Sequence, residues 1–159
     1  MNKEAKYISY MELAISEAKK AQKFGEVPIG AVVVDSLRDQ VITKNHNRVL
    51  QLKDPTAHAE LLVIRDACKL LNTERIVDCS LYVTLEPCAM CAAAISYARI
   101  KNLYYGADSN GNEHFSNGLA YFDSNVCNHK PNIYGGISEV VSTSIIHNFF
   151  NKMRKDQNK

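Results

Sequence analysis

The chain has 159 residues, 46% apolar and 23% charged, a mix that suits one globular domain spanning 1–159 and excludes a disordered or fibrous chain. Nineteen basic against seventeen acidic residues give a net charge of +2, so there is no global polyanion-binding signal and any basic patch is local. The opening MNKEAKYISYME holds neither a signal-peptide core nor a membrane-spanning run, and a cytoplasmic protein with no membrane partner is expected.

Tyr7 to Lys23 carries apolar residues at 8, 11, 15 and 18, the stripe of an amphipathic helix, with Gly25 as its stop. Val27 to Asp35 is a β-branched run, Val41 begins another, and Ser36 to Gln40 is the polar turn of a hairpin. After Asp54-Pro55-Thr56, the stretch from His58 to Leu71 has helical spacing, which puts His58 and Glu60 at a helix start. Leu81 to Leu85 reads as a buried strand. Pro87 then opens a helix to about Ala98 with Cys88 and Cys91 on its first turn. Ile100 to Tyr105 is a further strand. Asp108 to Asn132, rich in Asn, Ser, Gly and Asp with Phe115, Tyr121 and Phe122 interspersed, reads as a long, partly ordered segment near a functional surface. Ser138, as a cap, leads a terminal helix to about Lys155 with apolar residues at 141, 145, 146, 149 and 153. Strands alternating with helices argue for a three-layer α/β fold.

Five cysteines, at 68, 79, 88, 91 and 127, are odd in number and lack framework spacing, so reduced thiols are expected. Cys88 and Cys91, three apart, project their sulfurs to one side of a helical turn and can chelate one ion; unpaired N–H groups there favour the thiolates. His58 supplies a third donor. Three protein ligands leave one coordination position open, which separates a catalytic zinc from a structural one. Glu60 need not ligate; a carboxylate beside the ion moves protons between water and a substrate nitrogen.

Other readings exist for each part. Cys-x-x-Cys alone is also a redox dithiol, but here it lies past mid-chain and would leave His58-Ala59-Glu60 without a role. A structural zinc would draw a fourth ligand from His46, His114, His129 or His147. His58 alone is as readily a core residue, and Glu60 a solvated helix acid. The pairing of His-x-Glu with Pro-Cys-x-x-Cys favours zinc-dependent nucleobase deamination over these readings.

The runs Asp54-Pro55-Thr56-Ala57-His58-Ala59-Glu60 and Leu81 to Cys91, with Val27 to Val32, Asn45-His46-Asn47-Arg48 and the Phe149-Phe150 helix, resemble the bacterial tRNA-specific adenosine deaminases over essentially the whole chain. The resemblance implies a cytidine-deaminase-like fold with a mixed five-stranded sheet between helices. It also implies a homodimer with one Zn2+ per subunit, and conversion of the wobble adenosine of an arginine tRNA anticodon to inosine. It assigns His58, Cys88 and Cys91 to the metal, Glu60 to the proton shuttle, Asn47 to the flipped nucleoside, and Pro28, Ile29, Leu85 and Glu86 to the pocket wall. It places Phe149, as a stacking platform, and Lys152, Arg154 and Lys155 toward the anticodon stem.

Two departures stand out. Ala93 replaces a common glycine, and Gly106-Ala107-Asp108-Ser109 carries its acid one place early, so no contact is assigned to that loop. Deamination of a free base or nucleotide, such as guanine, cytosine or deoxycytidylate, is the alternative within the same chemistry. A zinc-binding RNA module without turnover is the remote one, and the intact Glu60 argues against it.

Overall fold

The structure is a computed structural model and describes residues 2–108 and 118–158. Helix α1 (Lys3–Lys23) begins ahead of the expected Tyr7. Asn2 caps it, its Oδ1 accepting from Ala5 N at 2.8 Å, and the polar Lys3 to Lys6 turn adds good helix formers that an apolar stripe does not register. Gly25, at φ 73°, ends it as expected.

Strand β1 (Gly30–Asp35) pairs antiparallel with β2 (Gln40–His46), confirming the hairpin. The expected strand start at Val27 is displaced to Gly30. Pro28 has no N–H to donate, and the Ile29 N–H bonds back to Val27 O at 2.8 Å. A one-turn helix α2 (Val49–Leu52) follows, which the sequence pattern did not reveal. Next come α3 (Ala59–Leu71), β3 (Cys79–Leu85), α4 (Ala89–Tyr97) and β4 (Asn102–Ala107), each within a few residues of its expected place. The segment from Asp108 to Asn132, read as partly ordered, holds a 3-10 turn, Gly118–Asp123, and a three-residue strand β5 (Asn132–Tyr134) begins at its last residue. His114 and Phe115 lie outside the described residues. Helix α5 (Glu139–Gln157) closes the chain. Ser138 precedes it, but at φ 55° in the left-handed region and without a side-chain cap bond, so the expected capping by Ser138 is not made.

The sheet order is β2-β1-β3-β4-β5, with β1 antiparallel to β2 and β3, and β3, β4 and β5 parallel. Side chains alternate across it with the period of two that a pleated strand imposes. Ala31, Val33, Leu81, Val83, Leu85 and Leu103 join Ala59, Val63, Ala92 and Ile95 of α3 and α4. Val32, Val34, Tyr82 and Tyr104 face Met11, Ala14 and Ile15 of α1. This is the expected three-layer α/β sandwich on a mixed five-stranded sheet. With β1 and β3 buried along their whole length, their sequences show no apolar–polar alternation, and their polar residues Asp35, Ser80 and Thr84 are buried with the rest. On the α1 side Tyr82, Tyr104 and Tyr134 stack across the parallel strands with ring centroids 4.5 and 5.0 Å apart.

No helix among the described residues is long and apolar enough to cross a membrane. All five cysteines are free thiols.

Candidate active site

Parallel strand β3 delivers the chain at its C-terminal end into Leu85-Glu86-Pro87-Cys88, the position where open α/β sheets bind their ligands. Cys88 is the N-cap residue of α4 and Cys91 lies in its first turn; His58 is the N-cap residue of α3. Neither N-cap side chain caps its own helix. They turn toward each other instead. His58 Nδ1 lies 3.6 Å from Cys88 Sγ and 3.5 Å from Cys91 Sγ, and the three donor atoms are all within 4.8 Å of one another.

Two sulfurs converging on a single ring nitrogen is poor hydrogen-bond economy but good metal geometry. A tetrahedral zinc with Zn–N of about 2.0–2.1 Å and Zn–S of about 2.3 Å sets N···S at about 3.6 Å. The donor set fits the ion, and Nδ1 is the nitrogen turned to it. The sulfurs sit at the positive ends of α3 and α4, which favours anions there. A hydrogen bond from Cys91 draws the Cys88 thiol down to about 4, against burial and with help from His58. The same bond, with burial, pushes Cys91 up. Binding of a dication displaces the protons these sulfurs carry, because the thiolates are the ligands. His58 is raised chiefly by its contact with Cys88.

Glu60, in the first turn of α3, is buried at 3% exposure. Burial is the main cause that pushes its carboxyl up to about 7. Its Oε2 has no hydrogen-bond partner among the described residues. A buried carboxyl with an idle oxygen beside a metal-donor cluster is equipped to take and return a proton near neutral pH.

Asn47, just after β2, is buried, and its Oδ1 accepts from Ala59 N at 2.8 Å. It therefore fixes the helix turn that carries His58 and Glu60. Its own N–H donates to Ile29 O at 3.1 Å, which brings Ile29 beside it. Pro28, Ile29, Leu85 and Glu86 are all buried around this end of the sheet. The terminal helix is not part of the cluster. Lys152, Arg154 and Lys155 are exposed on a last stretch of α5 that is open on every side, and among the described residues the Arg154 guanidinium donates only to Asn151 of its own helix. Phe149 is turned inward at 8% exposure, so the ring expected as a stacking platform is not an open surface here; the half-buried Phe150 meets it edge to face.

Gly118 escaped the sequence reading. A Cβ there would meet Pro87 O at 2.0 Å and the Cys88 carbonyl carbon at 2.4 Å, so this residue backs the metal loop directly. Its constraint is a distant backbone, which leaves no local pattern to read. Also missed was the hydrogen bond of 2.9 Å between His46 Nδ1 and the buried Glu17 of α1, which anchors the residue before Asn47.

The family model described as the cytidine and deoxycytidylate deaminase zinc-binding region matches residues 4–107. The tRNA-specific adenosine deaminase of Agrobacterium fabrum is 49% identical over 147 residues, 92% of this chain and 95% of that one. A structure from work on A-to-I editing by tRNA:A34 deaminases at the wobble position of transfer RNA superposes with a TM-score of 0.80 and 48% identity, covering 86% of this chain and 98% of that one. A guanine deaminase from Bacillus subtilis follows at TM-score 0.64 and 34% identity, covering 84% and 85%.

Proposed function

We propose that this chain, which belongs to the cytidine and deoxycytidylate deaminase family and within it to the tRNA-specific adenosine deaminases, hydrolyses the wobble adenosine of a tRNA anticodon to inosine. The observation that carries the chemistry is the convergence of His58, Cys88 and Cys91 beside the idle Oε2 of buried Glu60. Water replaces the amino group on C6 of the adenine ring, and ammonia leaves.

His58 Nδ1 and the Cys88 and Cys91 thiolates would hold the zinc, which when bound polarises the attacking water and lowers its pKa. Glu60 takes a proton from the attacking water and gives it to the ring nitrogen next to C6. It then takes the remaining proton from the oxygen added at C6 and delivers it to the departing amine, which leaves as ammonia while that oxygen becomes the carbonyl of inosine. Its raised affinity for protons suits these transfers, since a carboxyl near its ordinary value of about 4.3 would be a weaker base and would hold too little proton at neutral pH to pass on. The carbonyl oxygen of the Asn47 side chain is engaged by Ala59, which leaves its amide donor for the nucleoside. Pro28, Ile29, Leu85 and Glu86 wall the pocket and exclude water from it.

An arginine tRNA as substrate and a cytoplasmic location belong to the same reading and rest on the likeness to this family. One zinc-dependent domain over 1–159 is supported by the single sheet that both helical layers share. Homodimerisation is supported by α4, whose sequence from Ala89 to Tyr97 carries no charge and leaves Tyr97 71% exposed. At the terminal helix, Arg154 is the open cation suited to the anticodon stem, with Phe149 as the anchor that orients it.

The test is incubation of the zinc-loaded protein with an arginine tRNA of anticodon ACG and, separately, with guanine, cytidine and deoxycytidylate. Inosine formed only in the tRNA supports the reading. Ammonia released from a free base while the tRNA stays unmodified overturns it.

A further inference from the structure

A groove of about 520 Å3 crosses the N-terminal ends of the parallel strands, lined by Arg75, Asp78, Arg99, Lys101, His129 and Lys130 among others. Asp78 and Lys101 immediately precede β3 and β4, while the metal donors follow the other end of β3. The seven residues of β3 make six steps of about 3.3 Å, which put the groove about 20 Å from the metal loop, so it is not a part of the catalytic pocket.

Four cations face one another here with Asp78 as the one acid in the lining, in a chain whose overall charge is only +2. Arg99 Nη1 donates to the uncharged Asn128 carbonyl at 2.7 Å, which positions the guanidinium without neutralising it. Lys130 is paired with Asp123. Among the described residues neither Arg75 nor Lys101 forms an ion pair, and both are exposed. His129 is fixed by a bond of 2.7 Å between Nε2 and Ile100 O.

We infer that this groove binds the sugar-phosphate backbone of the substrate RNA at a point remote from the reacting base; the inference rests on the function proposed above. Val77 is the lone apolar side chain in the lining, so the groove lacks the apolar or aromatic centre that organises a protein interface. Guanidinium and ammonium groups projecting from separate turns suit phosphate oxygens, and the absence of an aromatic ring other than His129 leaves nothing on which to stack bases. About 20 Å from the reacting base, the groove is placed for the body of a whole tRNA rather than for the short stem-loop that carries that base. The groove therefore adds affinity for the intact tRNA and none for the loop alone.

The experiment compares the zinc-loaded protein with its Arg75→Gln/Lys101→Gln variant, both changes being on exposed side chains. Binding of full-length tRNA is expected to weaken about tenfold, and the slope of log K against log salt to fall by about 1 to 2. Binding of an isolated anticodon stem-loop and the rate of its deamination should stay as in the parent. Equal losses for tRNA and stem-loop, or no loss for either, overturn the inference. So does a change of oligomeric state in light scattering, which would mark the groove as a contact between copies. If the parent itself deaminates neither RNA, it is the proposed function that has failed, while retained tRNA binding and its loss in the variant still report on the groove.

Discussion

The side-chain oxygen of Asn47 accepts the Ala59 N–H at 2.8 Å, tying the end of the hairpin to the helix turn that carries His58 and Glu60. One side chain thus has a structural acceptor and a donor that the proposed chemistry uses. Asn47→Ala should cost about 1 kcal/mol of stability, as the loss of a helix-start acceptor does. Asn47→Asp keeps the acceptor, so thermal melts and zinc content should stay near the parent while KM for the RNA rises. Parental kcat/KM in Asn47→Asp would remove the nucleoside role.

Glu60→Gln keeps the shape of the buried side chain and removes its proton affinity. We expect turnover to fall by about 10² to 10⁴, with zinc still bound at one ion per chain by metal analysis. Substantial activity in zinc-loaded Glu60→Gln would assign the shuttle to another group.

Chelation should lower the melting temperature, because the three donors draw on α3 and α4 and the ion binds only the folded arrangement. Free zinc at a hundred times its Kd is worth about 2.7 kcal/mol. Cys91→Ala, at a buried donor, should abolish that zinc-dependent shift in melting temperature. A variant still stabilised by zinc as the parent is would place the ion elsewhere.

Gly118→Ala should disturb the metal loop from behind, since its methyl group would collide with Pro87 O and the Cys88 carbonyl carbon. A cost of about 1–3 kcal/mol is typical of such overpacking. Zinc affinity should fall with it, which a competition titration with a chromogenic chelator reads directly.

Stability should also carry a specific acid limb. Burial pulls the Glu17 carboxyl upward, but hydrogen bonds from His46 and Lys20 outweigh it and leave it below the ordinary carboxylate range. A depressed folded pKa means that this contribution is present above the unfolded value and fades as pH falls through the folded one. Denaturant midpoints should therefore show Glu17→Gln less stable than the parent at neutral pH, with the gap closing as the pH drops below the ordinary carboxylate range. A gap that is constant with pH would contradict the ion-pair account.

What the sequence made legible followed from how local each constraint is. The metal donors declared themselves because two lie one helical turn apart and the third sits beside Glu60. Strand β1 was readable as a β-branched run and β3 as the mostly apolar Leu81 to Leu85. Helix α1 started earlier than expected because its first turn is polar and held by Asn2. Strand β5 is three residues long, too short for periodicity, and exists by pairing with β4. Ser138 looked like a cap by residue type, yet its left-handed backbone aims the side chain elsewhere. Phe149 lay on the apolar stripe of its helix, and burial was the reading that the stripe supported. Gly118 and the Glu17–His46 bond depend on segments far apart in the chain, which no window of sequence contains.

The stacked tyrosines behind α1 have an optical consequence. The chain has eight tyrosines and no tryptophan, and Tyr7, Tyr10, Tyr82, Tyr104 and Tyr134 form one array of ring contacts. Near-ultraviolet dichroism is therefore dominated by the side of the sheet away from the metal. It should follow the docking of α1 closely and change little when zinc is added or stripped, so a spectrum that looks native is no assurance that the protein is loaded.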